Sequence, residues 1–141
     1  MNEAVTRAGG TATITVDQFI AAPPEKVWRT ITEPELVQRW WAAGDIQPIV
    51  GHEFTLDMPG FGPQPCTILD VERPTLLVYT FTDSWTLTWT VTPEGNGTRL
   101  LLEHSGFDLE DGRMAAAYDR MGPGWRDVVL PRLADAASVL D

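Results

Sequence analysis

The apolar and polar residues in the middle of the chain alternate with a period of two, which predicts β-strands. We place seven strands, over residues 11–20, 46–50, 52–58, 65–73, 75–81, 85–93 and 97–105. In the segment "WTLTWTVT", one face carries threonines and the other carries Trp85, Leu87, Trp89 and Val91. Such alternation is typical of an antiparallel sheet with one side in water. The sequence "EGNG" at 94–97 predicts the tight turn of the last hairpin.

The period changes to that of a helix after the first strand. The motif "AAPPEKV" predicts a helix that begins at Pro24, because a proline in the first turn loses no hydrogen bond. Thr32 and Glu35 have the spacing of a capping box, which predicts a second short helix directly afterwards. Gly44 is the predicted end of this second helix.

The C-terminal part of the chain also has a helical period. An apolar stripe begins at Met114, and the "GPG" at 122–124 is predicted to interrupt it. A longer helix is predicted to follow, up to the end of the chain. Pro131 lies inside it and offers no N–H to the carbonyl of Asp127, which predicts a kink or a locally opened turn.

These elements predict an α+β fold in which residues 11–141 form one domain and residues 1–10 a flexible lead-in. A helix is about 10 Å wide, whereas seven strands about 4.8 Å apart span over three times that width. The antiparallel sheet must therefore curl around the long C-terminal helix. The curl leaves an interior space beside residues 57–65, a predicted loop with Phe61 at its tip that is suited to act as a lid. An apolar cavity of this kind is the usual site of a small ligand.

The charge of the chain excludes several classes of partner. Ten lysines and arginines stand against twenty aspartates and glutamates, for a formal net charge of −10. Such a chain repels phosphate backbones and anionic headgroups, so we expect no nucleic-acid partner. No stretch approaches the roughly 18 apolar residues of a membrane span, so we expect no membrane insertion. The single cysteine, Cys66, forms no internal disulfide and no metal cluster, which fits a cytoplasmic location without a metal site.

Motifs of known catalytic chemistry are lacking in the sequence. The chain contains no H-E-x-x-H, C-x-x-C or G-x-S-x-G motif and no phosphate-binding glycine loop. We therefore expect no cofactor and favour a binding protein over an enzyme. A cyclase, however, needs only a shaped pocket and one acid or base, which His104 would supply together with Tyr79 or Tyr118. The alternative is a histidine that bonds a backbone group at the end of its strand.

The candidate cavity residues are side chains expected to face the sheet interior, the loop tip or the C-terminal helix. Two interpretations stay open for them, because such residues either line a cavity or fill a packed core. Trp28 and Trp40 are predicted to be structural anchors of the two short helices. The candidates are Trp41, Phe54, Leu56, Met58, Phe61, Leu69, Tyr79, Trp85, Leu87, Trp89, Leu100, Leu102, His104, Met114, Tyr118, Met121, Trp125, Val129 and Leu133.

Four motifs follow the first strand in order: "AAPPEKVWRTITEPELVQRWW", "GHEF", "TRLLLEHSGF" and "GPGWRDVVLPRL". In this order they resemble the family of homologues of the activator of the Hsp90 ATPase, which belongs to the START-like or Bet v 1-like superfamily. The resemblance extends from about Thr11 to Leu140 and implies a helix-grip fold. Pro131 departs from the uninterrupted C-terminal helix of such proteins.

The resemblance narrows the function to a few classes. The superfamily includes lipid-transfer domains, polyketide cyclases and aromatases, plant proteins that bind flavonoids and hormones, and bacterial single-domain proteins. We favour a carrier or sensor of a small apolar molecule, aromatic or lipid-like, in a cavity between the sheet and the C-terminal helix. A polyketide cyclase or aromatase-like enzyme is the first alternative, and modulation of a chaperone ATPase through protein contact is the second. A homodimer and a protein partner are also compatible with the sequence.

Overall fold

The computed structural model describes residues 11–140, and the predicted flexible lead-in, residues 1–10, lies outside them. The elements follow the predicted order of one strand, two short helices, further strands and a helical C-terminal part. They are β1 (Thr11–Ile20), α1 (Pro24–Thr32), α2 (Pro34–Trp40), β2 (Ala43–Gly44), β3 (Glu53–Met58), β4 (Gly62–Glu72), β5 (Leu76–Phe81), β6 (Trp85–Glu94), β7 (Gly97–Asp108), α3 (Gly112–Gly124), a π-helical segment (Trp125–Val129) and α4 (Leu130–Ser138).

The strands form one antiparallel sheet in the order β1-β7-β6-β5-β4-β3-β2. Along β6 the residues Leu87, Trp89 and Val91 are buried, as the alternation predicted. The sheet curves around the C-terminal helix, and α4 contacts α1, α2 and β1. This arrangement confirms the predicted α+β helix-grip architecture.

The C-terminal helix runs without a break from Gly112 to Ser138. The predicted interruption at 122–124 is wrong, because the helix continues through Pro123, which lies on its exposed side. The predicted opened turn near Pro131 is present as the π-helical segment. There the Leu130 N–H donates to the carbonyl of Trp125, five residues back.

The segment predicted as a strand at 46–50 is irregular in the structure. Pro48 has no N–H to donate to a ladder, and the Ile49 N–H closes a turn onto the carbonyl of Gln47 at 2.8 Å. The backbone pairs with β3 earlier instead, through the two residues of β2. Both Ile49 and Val50 are exposed, so their apolar character does not mark a buried strand face.

The second helix does not use the predicted capping box. The Thr32 hydroxyl donates to the carbonyl of Trp28 at 2.8 Å and so belongs to the end of α1. Pro34 opens α2, and Glu33 precedes it without a side-chain cap. The helix ends at Trp40, whereas the predicted terminator Gly44 pairs with Leu56 in the sheet. A Cβ on Gly44 would collide with the carbonyl oxygen of Thr55, so close backbone approach explains this glycine.

The segment 57–65 is a strand hairpin rather than a long loop. Only Pro59–Phe61 form its turn, and the Phe61 side chain at the tip is 74% exposed. Prolines are tolerated in this part of β4, because β4 pairs with β5 only from Ile68 onward and the segment before it is an edge on that side.

Trp28 and Trp40 anchor the short helices in the core. Both side chains are fully buried, and the Trp40 indole N–H donates to the carbonyl of Thr30 at 2.8 Å. The Trp40 ring meets the Trp89 ring edge to face, with centroids 5.6 Å apart. Helices of two turns are unstable alone, so these aromatic contacts hold α1 and α2 against the sheet.

The close approach at Gly44 generates a stability prediction. We expect Gly44→Ala to lower the free energy of unfolding by about 1–3 kcal/mol, because its methyl group collides with β3. The matched control is Gly112→Ala, where the added methyl meets open space at a helix start and stability stays equal or rises by up to about 1 kcal/mol. Urea midpoints measure both changes, and equal midpoints for the two variants would contradict the packing argument.

Candidate functional site

An apolar crevice opens at one end of the sheet, between two strand hairpins and the C-terminal helix. It consists of two adjoining cavities of about 280 Å³ and 200 Å³. The β3–β4 hairpin, the β5–β6 hairpin and α3 surround the larger one, and Trp41 and the π-helical segment complete the smaller one. The lining residues are Trp41, Met58, Phe61, Gln64, Phe81, Thr82, Trp85, Arg120, Met121, Gly124, Trp125 and Val129.

Four aromatic rings form the wall of the crevice. Phe81 ends β5 and lies opposite Trp85, the first residue of β6, with ring centroids 6.0 Å apart. Trp41 follows α2 and contacts Phe81 at 5.3 Å and Trp125 at 5.1 Å. These ring contacts hold the rings in fixed orientations, with Phe81 and Trp125 almost fully buried and Trp41 and Trp85 half-buried.

The crevice brings together a subset of the predicted cavity residues. These are Trp41, Met58, Phe61, Trp85, Met121, Trp125 and Val129. Most of the other candidates pack into the core behind the crevice, so they fill the interior that was predicted as a cavity. The buried candidates are Phe54, Leu56, Tyr79, Leu87, Trp89, Leu100, Leu102, His104 and Leu133.

Three candidates lie outside both the crevice and the buried core. Met114 and Tyr118 are half-buried on α3, where the Tyr118 ring contacts Phe107 at 5.4 Å. Leu69 is 49% exposed on the outer side of the sheet, contrary to the prediction. An irregularity in the register of β4 between Ile68 and Asp70 shifts the alternation, so Ile68 takes the buried position and Leu69 does not.

Sequence reasoning missed five lining residues. Phe81 continues the alternation of Leu77 and Tyr79 on β5, so the period-two pattern contained the signal for it. Arg120 and Gly124 are one helical turn apart and flank Met121, which also follows from helical spacing. For Gln64 and Thr82 the sequence holds no such signal, because the tips of the two hairpins bring them to the crevice.

Thr82 has a backbone conformation that β-branched residues rarely adopt. Its φ is 61°, in the left-handed region. The Thr82 N–H donates to the carbonyl of Pro65 at 2.9 Å, and its hydroxyl accepts from the N–H of Ser84 at 3.1 Å. These bonds hold the strained turn beside β4. Strain of this kind is concentrated at functional sites, which makes the β5–β6 turn a notable part of the crevice rim.

His104 lies directly behind the aromatic wall. Its ring is fully buried and contacts those of Phe81, Trp85, Phe107 and Trp125, at centroid distances from 4.6 Å to 6.2 Å. The Trp125 indole N–H donates to His104 Nδ1 at 3.0 Å, so the partner is a side chain rather than the expected backbone group. Burial lowers the pKa of His104 to about 3. The imidazole is therefore neutral, and its hydrogen is on Nε2.

Two buried N–H groups near the crevice lack acceptors. Within residues 11–140, neither His104 Nε2 nor Trp85 Nε1 has a hydrogen-bond partner. A buried donor without an acceptor costs about 1–3 kcal/mol. The two rings are neighbours, with centroids 5.1 Å apart. Unmatched donors therefore cluster at the aromatic wall.

Tyr79 and His104 do not form an acid–base pair. Tyr79 pairs with Leu87 in the sheet, and Leu87 pairs with His104, so a whole strand separates the two. The Tyr79 hydroxyl accepts from the Trp89 indole N–H at 3.1 Å, and burial raises the pKa of Tyr79. Burial likewise raises the pKa of the Cys66 thiol to about 12, which keeps it unreactive.

The described residues, 11–140, contain neither a metal-ligand cluster nor a membrane-spanning helix. No group of three histidine, cysteine, aspartate or glutamate side chains there is placed to hold a metal ion. No helix in that range has the length and apolar character needed to cross a membrane.

Comparison with known proteins gives matches at the level of family and of fold. A protein from Mesorhizobium loti has 32% identity and a TM-score of 0.82, and the match covers 92% of this chain and 98% of that one. A protein from Bacillus halodurans has 34% identity and a TM-score of 0.79, with coverage of 89% and 96%. Comparison with curated proteins yields no match.

A third solved structure, the Aha1 dimer from Colwellia psychrerythraea, shares the fold. It has 20% identity and a TM-score of 0.74, and the match covers 91% of this chain and 97% of that one. The family described as activator of Hsp90 ATPase homolog 1-like protein matches residues 21–137, from just before α1 into α4. The chain belongs to the activator of Hsp90 ATPase homolog 1-like family.

Proposed function

We propose that the protein is a carrier or sensor that binds a small aromatic molecule in the crevice at the open end of the sheet. The observation that carries this proposal is the aromatic wall of Trp41, Phe81, Trp85 and Trp125, whose side chains line the two cavities. Flat aromatic faces around a gap favour a planar guest, because stacking and edge contacts add to the gain from apolar burial.

The size of the crevice favours a compact guest. Its cavities of about 280 Å³ and 200 Å³ lie near the lower end of the range for small-molecule sites. A molecule of two or three fused rings matches this space better than a sterol or a long acyl chain. Met58 and Met121 line both cavities, and flexible thioethers adapt to guests of different outline.

The state of His104 favours binding over catalysis. A general base needs a free lone pair near the substrate, but Nδ1 of His104 already accepts from Trp125. Neither Tyr79 nor Tyr118 lies among the crevice residues, so the predicted cyclase chemistry has no second group there. Contact with a chaperone ATPase and homodimer formation stay predictions.

Filling the crevice from Gly124 tests the binding proposal. Gly124 lines the smaller cavity, and a Cβ added there meets open space. We expect Gly124→Leu to leave the fold intact and to weaken binding of 2-naphthol at least tenfold, because the new side chain occupies the site of the guest. The matched control is Gly112→Leu, the same change in the same helix outside the crevice. Amide and indole NMR shifts measure binding and locate it.

Two results would contradict the proposal. One is a panel of bicyclic and tricyclic aromatics, none of which shifts the indole signals of Trp85 and Trp125 in a folded protein. The other is an unchanged affinity in Gly124→Leu, which would place any binding elsewhere on the surface.

The neutrality of His104 predicts how stability depends on pH. Its folded-state pKa of about 3 lies below the ordinary value of 6.5, so between these values the unfolded chain binds a proton that the folded chain does not. Stability is therefore lost as the pH falls below about 6.5, by up to about 1.4 kcal/mol per pH unit from this group.

The variant His104→Gln, which keeps an acceptor for the indole of Trp125, should lose that component of the pH dependence. Urea unfolding at pH 7, 6, 5 and 4 measures it as the difference between wild type and variant. His52→Gln is the control, because it removes the only other histidine and leaves the buried one in place. Parallel pH profiles for wild type and His104→Gln would contradict the prediction, because they would mean that the pKa of His104 is the same in the folded and the unfolded chain.

A further inference from the structure

The crevice has a polar side as well as an aromatic wall, and that side points to the class of its ligand. The polar lining residues are Gln64, Thr82 and Arg120. Of the lining residues, all within 11–140, none is an aspartate or a glutamate, although the chain has twenty acidic residues. An anion in the crevice therefore meets a cation and no lining carboxylate.

Arg120 is the charged group of the crevice, and it lines both cavities. The arginines at 29, 73, 99 and 126 each form an ion pair with a carboxylate. Within the described part of the chain, Arg120 has no such partner. Its guanidinium offers a planar set of N–H donors, which suits bidentate binding of a carboxylate.

The other polar groups of the lining differ in what they offer a ligand. The Gln64 amide nitrogen is already occupied, because it donates to the carbonyls of Phe61 and Gly62. The Thr82 hydroxyl accepts from the Ser84 N–H and keeps its own hydrogen to donate. Trp85 also carries an indole N–H with no acceptor in the described structure, but its nitrogen is buried and not open to the crevice. Besides Arg120, the crevice therefore offers the Thr82 hydroxyl as a donor and the Gln64 amide oxygen as an acceptor.

We propose that the ligand is an aromatic carboxylate, with its ring against the aromatic wall and its carboxylate paired with Arg120. This inference rests on the function proposed above and adds the charge of the ligand to it. The net charge of −10 does not oppose the pairing strongly, because at physiological salt charges beyond about 8 Å are screened. Arg120 is exposed to solvent at the rim of the crevice, and it acts on a bound carboxylate at contact distance, where screening by salt is small.

A matched pair of ligands tests the charge separately from the ring. 2-Naphthoate and 2-naphthylmethanol carry the same bicyclic ring, but only the first is an anion at pH 7. We expect 2-naphthoate to bind at least tenfold more tightly to the full chain, as measured by calorimetry and NMR at 0.15 M salt. In Arg120→Gln this preference should fall to less than about twofold, because the affinity for 2-naphthoate falls more than that for the alcohol.

The control is Arg113→Gln, which removes an arginine of the same helix that lies outside the crevice. It should keep the tenfold preference. Equal affinities of the two ligands for wild type would overturn the inference and leave the proposed binding function intact. Equal losses in Arg113→Gln and Arg120→Gln would overturn it too, since net charge would then explain the effect. Failure of both ligands to bind would count against the proposed function itself.

Discussion

The hydrogen bond from the Trp125 indole to His104 joins the C-terminal helix to β7, the strand next to the edge strand β1. The carbonyl of the same tryptophan accepts from the N–H of Leu130 and closes the π-helical turn. One residue thus connects the widened turn of the helix to its docking point on β7. Gly124, the residue before Trp125 in the helix, lines the crevice, whereas Leu130, the residue after the π-helical segment, is fully buried. The position of the crevice follows from this junction.

The same bond leaves the His104 Nε2–H without an acceptor behind a wall of rings. An unmatched donor costs about 1–3 kcal/mol, whereas each buried aromatic side chain contributes roughly 1.5–3 kcal/mol. Several rings surround this one imidazole, so burial outweighs the loss and the neutral histidine is retained. The consequence is a rigid aromatic wall with an unmatched donor buried behind it, separated from the crevice by the rings.

Periodicity predicted most of the fold because the sheet has one buried face. On β6 the burial of Leu87, Trp89 and Val91 follows the alternation of the sequence. It failed at Leu69, where an irregular register shifts the phase of the alternation without any mark in the sequence. The loop predicted at 57–65 was also wrong. Its prolines and glycines indicate a loop, but pairing with β3 extends the strand β4 into this segment. In both places tertiary contacts overrode a local signal.

The candidate site was harder to predict, because the sequence shows which residues are apolar and not whether space remains beside them. Sheet and helix approach closely, and Trp40, Trp89 and Leu102 fill the region between them. The open space lies instead at one end of the sheet, where the tips of two hairpins and one face of the C-terminal helix form its rim. Such tips vary without disturbing a packed core. The proposed ligand is therefore inferred from rim residues such as Arg120 rather than from the fold, because a shared fold does not fix a shared function.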